Sequence, residues 1–373
     1  MNKLFLSLLT FLWMGTNAQS VGVTITNNSQ LDYSDYVIEV PWKDIVAKWP
    51  SIDTADFKVI DSKTQQEITF QLEYAGNPTI QNLLLQVSIP ANKTRSFKLV
   101  KGKHAFSPPK TFCRYVPERK DDFAWENDKI AFRMYGKALE GSNEDAYGLD
   151  VWVKSTDKLV VDDRYKKNDY HKDHGDGLDY YQVGYTLGAG NIAPYVNDSV
   201  YYSKNYHRFK VLDNGPLRSS FQLIYDEWNV DGKPVSVIKT ISIDAGSQLN
   251  RVTAAYNHTS DAALPVATGL AKRKDPGVLF LNEQNGISAY WEPQHGNDGV
   301  TGVATIHLQP IRQMLVTKEQ VLTITTTDAQ KSITYFTGAV WNKANRITSA
   351  HQWFEYVQHF QQKLKQPLII TVQ

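Results

Sequence analysis

The chain has 373 residues, 42% of them hydrophobic, with 40 Lys plus Arg against 39 Asp plus Glu. That length carries two domains or one large β domain, and the apolar share can fill a sizeable core. The balanced charge leaves no basic surplus for nucleic acid or an anionic membrane surface, so attraction to a charged substrate has to be local.

Residues 1–18, MNKLFLSLLTFLWMGTNA, read as a secretory leader, with Lys3 before an apolar run and Thr16-Asn17-Ala18 as a small-x-small cleavage site. The apolar run is too short for a bilayer, which takes about 20 residues. The expected product is exported, periplasmic or extracellular, with no lipid anchor and no membrane insertion. Cys113 is the only cysteine, which excludes a disulfide framework and a Cys-rich metal site. It is expected to be a small buried apolar side chain.

From residue 21 the pattern has period two. Val21-Gly-Val-Thr-Ile-Thr alternates, and short runs at 37–40, 57–60, 68–72 and 83–87 follow, separated by turn clusters. Such spacing predicts a β-sandwich over 19–105, with one or two helical turns at 42–49. A Gly-, Pro- and Lys-rich linker follows at 101–110. The second unit is expected over 111–373. Its clearest strands are at 221–225, 235–243 and 250–256, with Asp231-Gly232 and Ala245-Gly246 as hairpin turns. Further strands fit at 277–281, 288–291, 301–308, 321–326 and 332–340. The one clear helix is at 349–364, where Trp353, Val357, Phe360 and Leu364 form a single apolar stripe. The fold class is therefore all-β, mainly antiparallel, with a short C-terminal helix.

Three segments carry chemistry. Residues 114–128 hold three cations and five acids. Arg114 and Arg119 flank Pro117, and a guanidinium fork suits a uronate carboxylate; Trp125 offers a ring for a sugar face. A surface ion-pair network is the competing reading. Residues 170–181, YHKDHGDGLDYY, pack two histidines, three aspartates and three tyrosines around two glycines. His174 with Asp176 or Asp179 would make an acid/base pair. The same groups would suit a metal, or form a polar loop without a task, and the residues leave these open. Residues 271–277 form a basic turn that includes Lys272, followed by Trp291 and Glu292, a carboxylate in an aromatic wall or a plain strand end.

Residues 116–136, 148–154, 171–190, 213–218 and 245–251 resemble the signature segments of the domain-of-unknown-function 4861 family, and the resemblance spans nearly the whole mature chain. It departs at Gly190-Asn191, where the family has two adjacent glycines. The resemblance implies a protein secreted by polysaccharide-degrading bacteria, at times joined to unsaturated-glucuronyl hydrolases. It also implies a galactose-mutarotase-like β-supersandwich, a fold shared with many polysaccharide lyases, which does not by itself fix a reaction.

The expected partner is a poly- or oligosaccharide. The leading expectation is an enzyme on acidic glycans, most simply a lyase. Arg114, Arg119 or Arg133 would neutralise the uronate, His174 or His171 would take the C5 proton, and Tyr180 or Tyr181 would protonate the leaving oxygen. A hydrolase would draw on Asp176, Asp179 and Glu292, and a mutarotase-like epimerase on His174 with Glu292. A non-catalytic module would use the rings and cations, Lys272 and Trp291 among them, for binding. No cofactor is required, and calcium is the ion that the loop oxygens would suit.

Overall fold

The computed structural model describes residues 20–373. The expected leader, with its cleavage point at Ala18, lies outside the described residues. The fold is mainly antiparallel β, with helices at Trp42–Lys48, Val161–Lys167 and Ala350–Lys365.

The N-terminal unit is a sandwich of two sheets. One has four strands in the order Ile369–Val372, Ser20–Thr26, Thr94–Lys101, Phe57–Asp61; the other has Tyr33–Pro41, Asn82–Ile89, Phe70–Glu73. Val21, Val23 and Ile25 are fully buried while Gly22 and Thr24 between them are not, as period-two burial requires. The last strand of the chain pairs with the first, Val23 opposite Val372. Both ends of the described chain therefore close the same sheet, and 369–372 lie outside the second unit to which the sequence pattern assigned them.

The larger unit is built on an eight-stranded sheet in the order Arg208–Asn214, Arg218–Val230, Lys233–Asp244, Leu249–His258, Ser332–Trp341, Thr301–His307, Ile287–Trp291, Val278–Asn282. Asp231 and Gly232 both take positive φ, 50° and 80°, the two-residue turn that matches strand twist. One face of this sheet meets a four-stranded sheet (111–152) and a five-stranded sheet (189–326) in a continuous apolar core. Phe123 stacks on Phe221 at 4.3 Å between ring centres, and Trp125 lies 4.9 Å from the same ring.

The opposite face is covered at one end by the helix Ala350–Lys365. Ser349 caps it by accepting from the Gln352 amide. Trp353 and Val357 are fully buried against Leu249, Ile287, Ala289 and Val340. The strand Leu249–His258 shows both faces: Leu249 faces the helix side, and Val252, Ala254 and Tyr256 face the main core.

Arg218 ties the two units together. Its Nε and Nη2 bind both oxygens of Asp244 at 2.6 and 2.8 Å, and Nη1 reaches Glu39 and Glu73 of the N-terminal sandwich at 2.5 and 2.9 Å. Among the described residues no helix is long and apolar enough to cross a membrane.

The Trp353 ring fills the space between helix and sheet. Trp353→Ala should lower stability by about 3–5 kcal/mol, read as a reduced urea midpoint with unchanged slope.

Candidate functional site

The loop 170–181 is folded by local bonds. Asp173 Oδ1 accepts from the amides of Gly175 and Gly177 at 2.8 and 3.0 Å. Gly177 has φ +107°, and a Cβ there would meet the Val153 carbonyl oxygen at 2.1 Å, so only glycine lets the loop lie this close to its neighbour. Two backbone bonds, Ser155 N to Asp176 O and Val153 N to Leu178 O, pin the run along residues 153–155, and a third, Asp179 N to Tyr170 O, closes the loop on itself.

Asp179 is carried inward to Arg133. This guanidinium is buried, 2.6 Å from Asp150, 3.0 Å from Asp179 and 3.5 Å from Asp122. Tyr135, Trp152 and Tyr170 lie under it at 4.9, 5.1 and 5.8 Å. Burial pushes the Asp179 carboxyl well up, the neighbouring Asp150 pushes it further, and Arg133 pulls it back. Asp122 rises to about 6, again by burial against the pull of Arg133. One cation among three buried carboxylates favours keeping a proton within the cluster. Among the described residues no group of three or more His, Cys, Asp or Glu is placed to hold a metal ion.

The two tyrosines after Asp179 diverge. The Tyr180 hydroxyl bonds Thr301 Oγ1 at 2.6 Å, and its ring stacks on His295 at 5.1 Å. His295 Nδ1 lies 3.0 Å from Asp298 Oδ2, and its side chain is half exposed. Tyr181 goes into the core beneath Arg273, 4.5 Å from ring centre to guanidinium. Arg273 pairs with Glu292 at 2.6 Å. Glu292 is buried, and burial pushes its carboxyl from 4.5 up to about 7 against the lowering pull of Arg273. Both groups lie close enough to bias Tyr180. A hydroxyl, a carboxylate-oriented imidazole, a guanidinium and a carboxyl pushed up to about 7 thus cluster within electrostatic reach of one another, an array suited to proton transfer beside an anion.

Several expected residues take other roles. His174 pairs with Asp169 at 3.1 Å, on a small hollow lined by Arg164 and Lys167. Asp176 pairs with Arg164 and Asp179 with Arg133. The expected His174–Asp176 or His174–Asp179 dyad is therefore not formed. His171 is exposed, its Nδ1 2.9 Å from the Asp179 carbonyl oxygen. Arg114 is held by Glu118 and Asp162, and Arg119 by Glu144 and the Tyr170 hydroxyl. Both belong to an ion-pair network, and the buried Arg133 cannot meet a substrate carboxylate. Trp125 is fully buried and donates to Asn250, so it presents no face to a sugar. Trp291 packs under the C-terminal helix. Lys272 donates to the Thr317 carbonyl.

Tyr180 and Glu292 remain at the site. Arg273 and His295 were not singled out by sequence. Arg273 neighbours the named Lys272, and His295 follows Glu292 by three residues, but only the fold brings them together. Cys113 is buried, its thiol pushed up to about 12 chiefly by burial.

A family model described as a domain of unknown function, DUF4861, matches residues 25–370. The chain belongs to the DUF4861 family. A relative from Formosa agariphila described as "Uncharacterized protein P7" is 31% identical over 377 residues, covering 94% of this chain and 93% of its own. Two solved structures from Enterococcus faecalis share the fold. One is an alpha-mannosidase with a TM-score of 0.55; the other is a protein of glycosyl hydrolase family 38 with a TM-score of 0.54. Each is 10% identical and aligns with 95% of this chain, which spans only 46% and 47% of their lengths. Within this DUF4861 protein the Gly190-Asn191 departure has a partner: Asn191 Oδ1 accepts from the buried Lys239 Nζ at 2.7 Å.

Two outcomes follow. Arg133→Met should cost about 3–5 kcal/mol near neutrality, since it strands buried carboxylates. The loss should shrink at mildly acid pH, where those carboxyls take up protons; urea unfolding at both pH values checks this. For Glu292 the folded chain holds the proton more tightly than the unfolded one. Its contribution to stability is full below about pH 4.5 and is lost as pH rises through about 7. Glu292→Gln should remove that fall from a plot of unfolding free energy against pH.

Proposed function

We propose that this DUF4861 protein is an exported, glycan-active enzyme whose reacting centre is Tyr180, Arg273, Glu292 and His295, and that it cleaves acidic glycans by β-elimination. The observation that carries the reading is the clustering of these four groups, with Glu292 paired to a guanidinium and its carboxyl pushed up to about 7. Likeness in fold to an alpha-mannosidase and a glycosyl hydrolase family 38 protein supports a sugar substrate, by analogy of fold alone. The leader-like residues 1–18 support export.

Elimination at a uronate needs its carboxylate neutralised, so that the C5 proton becomes acidic. In this reading Arg273, the more exposed of the pair, faces that carboxylate, and the buried Glu292, when protonated, leaves the guanidinium charge free for it. His295, oriented by Asp298, takes the C5 proton. The C4–O bond breaks as the C4–C5 double bond forms, and the Tyr180 hydroxyl gives its proton to the departing oxygen.

The test is absorbance of the unsaturated uronate product, with pectic, ulvan-type and glucuronan polysaccharides, with and without calcium. A rise on one glycan, lost by about a hundredfold or more in Tyr180→Phe and His295→Ala, supports elimination. New reducing ends without absorbance would replace it with hydrolysis. Bound but unchanged glycan would leave a binding module.

A further inference from the structure

The proposed reacting centre leaves one groove unused. A groove of about 410 Å³ runs between the N-terminal sandwich, the outer face of the eight-stranded sheet and the helix Ala350–Lys365. That volume lies within the range of small-ligand sites, about 300–1,000 Å³. Arg251 alternates with Asn250 and Val252 along its strand, and so shares the face of Leu249, the helix side. Glu292 has the parity of Tyr290, which faces the main core. The groove and the reacting centre are therefore on opposite faces of one sheet.

The lining has two parts. One wall is aromatic. Phe336 meets Phe360 edge-on at 5.4 Å, and Phe360 lies 6.3 Å from Tyr356. The other carries fixed acceptors and free donors. Glu39 and Asp244 are each clamped by Arg218, yet their side chains stay 41% and 27% exposed, so further lone pairs face the groove. Arg251 and His359 have no hydrogen bond or ion pair from their side chains to any described residue. The charged groups of the lining cancel: Asp35, Glu39 and Asp244 against Arg218, Arg251 and Lys363.

We propose that this groove binds a neutral saccharide. Ring faces pack on the apolar CH face of a sugar, and each hydroxyl needs both an acceptor and a donor, which the carboxylates and Arg251 supply. The cancelled charge gives an anionic sugar no advantage over a neutral one, while an apolar ligand would leave the carboxylates and the guanidinium unpaired.

The test is an array printed with neutral and uronate-containing oligosaccharides, probed with the full-length labelled protein. Neutral spots should bind. Arg251→Gln, an exposed change on a strand, should weaken them by about tenfold or more, and so should Phe360→Ala. The signal should survive in Tyr180→Phe and His295→Ala, the variants that remove elimination at the other site, so failure of either reading is seen separately. Thermal melting confirms that each variant is folded. Neutral spots that stay dark, or a neutral signal that Arg251→Gln and folded Phe360→Ala leave unchanged, would overturn the proposal.

Discussion

A guanidinium removed from water keeps its charge only where carboxylates and ring faces replace the lost hydration. Arg133 meets that condition with Asp122, Asp150 and Asp179 around it and three aromatic rings beneath. Asp122 and Asp150 belong to strands of one sheet, whereas Asp179 comes from the loop that crosses it. The Arg133–Asp179 contact therefore fixes where that loop enters the core. Everything after it depends on this point: Tyr180 is delivered to Thr301 and His295, and Tyr181 to the underside of Arg273.

The same constraint separates structure from chemistry within one loop. Groups before Asp179 bond their own neighbours, His174 with Asp169 and Asp176 with Arg164. Groups after it meet residues far along the chain: Tyr180 meets Thr301 and His295, and Tyr181 lies under Arg273. The imidazole of His295 is half exposed, whereas Glu292 is buried and burial pushes its carboxyl up to about 7.

Much of the fold was legible in sequence because its signals are local. Period-two burial marked the strands, Asp231-Gly232 marked a hairpin, and the stripe of Trp353, Val357, Phe360 and Leu364 marked the last helix. The helix Val161–Lys167 was not visible. It starts on the buried Glu126 carboxylate, which accepts from the amides of Val160 and Val161, a cap from a residue 35 positions away. The return of Ile369–Val372 to the first strand was hidden for the same reason. At the site, Tyr180 and Glu292 stood out by type and company. Arg114, Arg119 and Arg133 looked like substrate ligands, but sequence does not show that acids already hold them. Arg273 and His295 were missed because the tyrosines they meet, Tyr181 and Tyr180, lie some ninety or more positions away in the chain.

The proposed site requires that Glu292 hold a proton near neutrality where a glycan meets the protein. The most direct measurement is a carboxyl-labelled NMR titration of Glu292, assigned with Glu292→Gln, in the free protein and with an acidic oligosaccharide. A midpoint near 7 that shifts when the glycan is added is the predicted result. A midpoint near the ordinary 4.5, unmoved by glycan, would contradict the account.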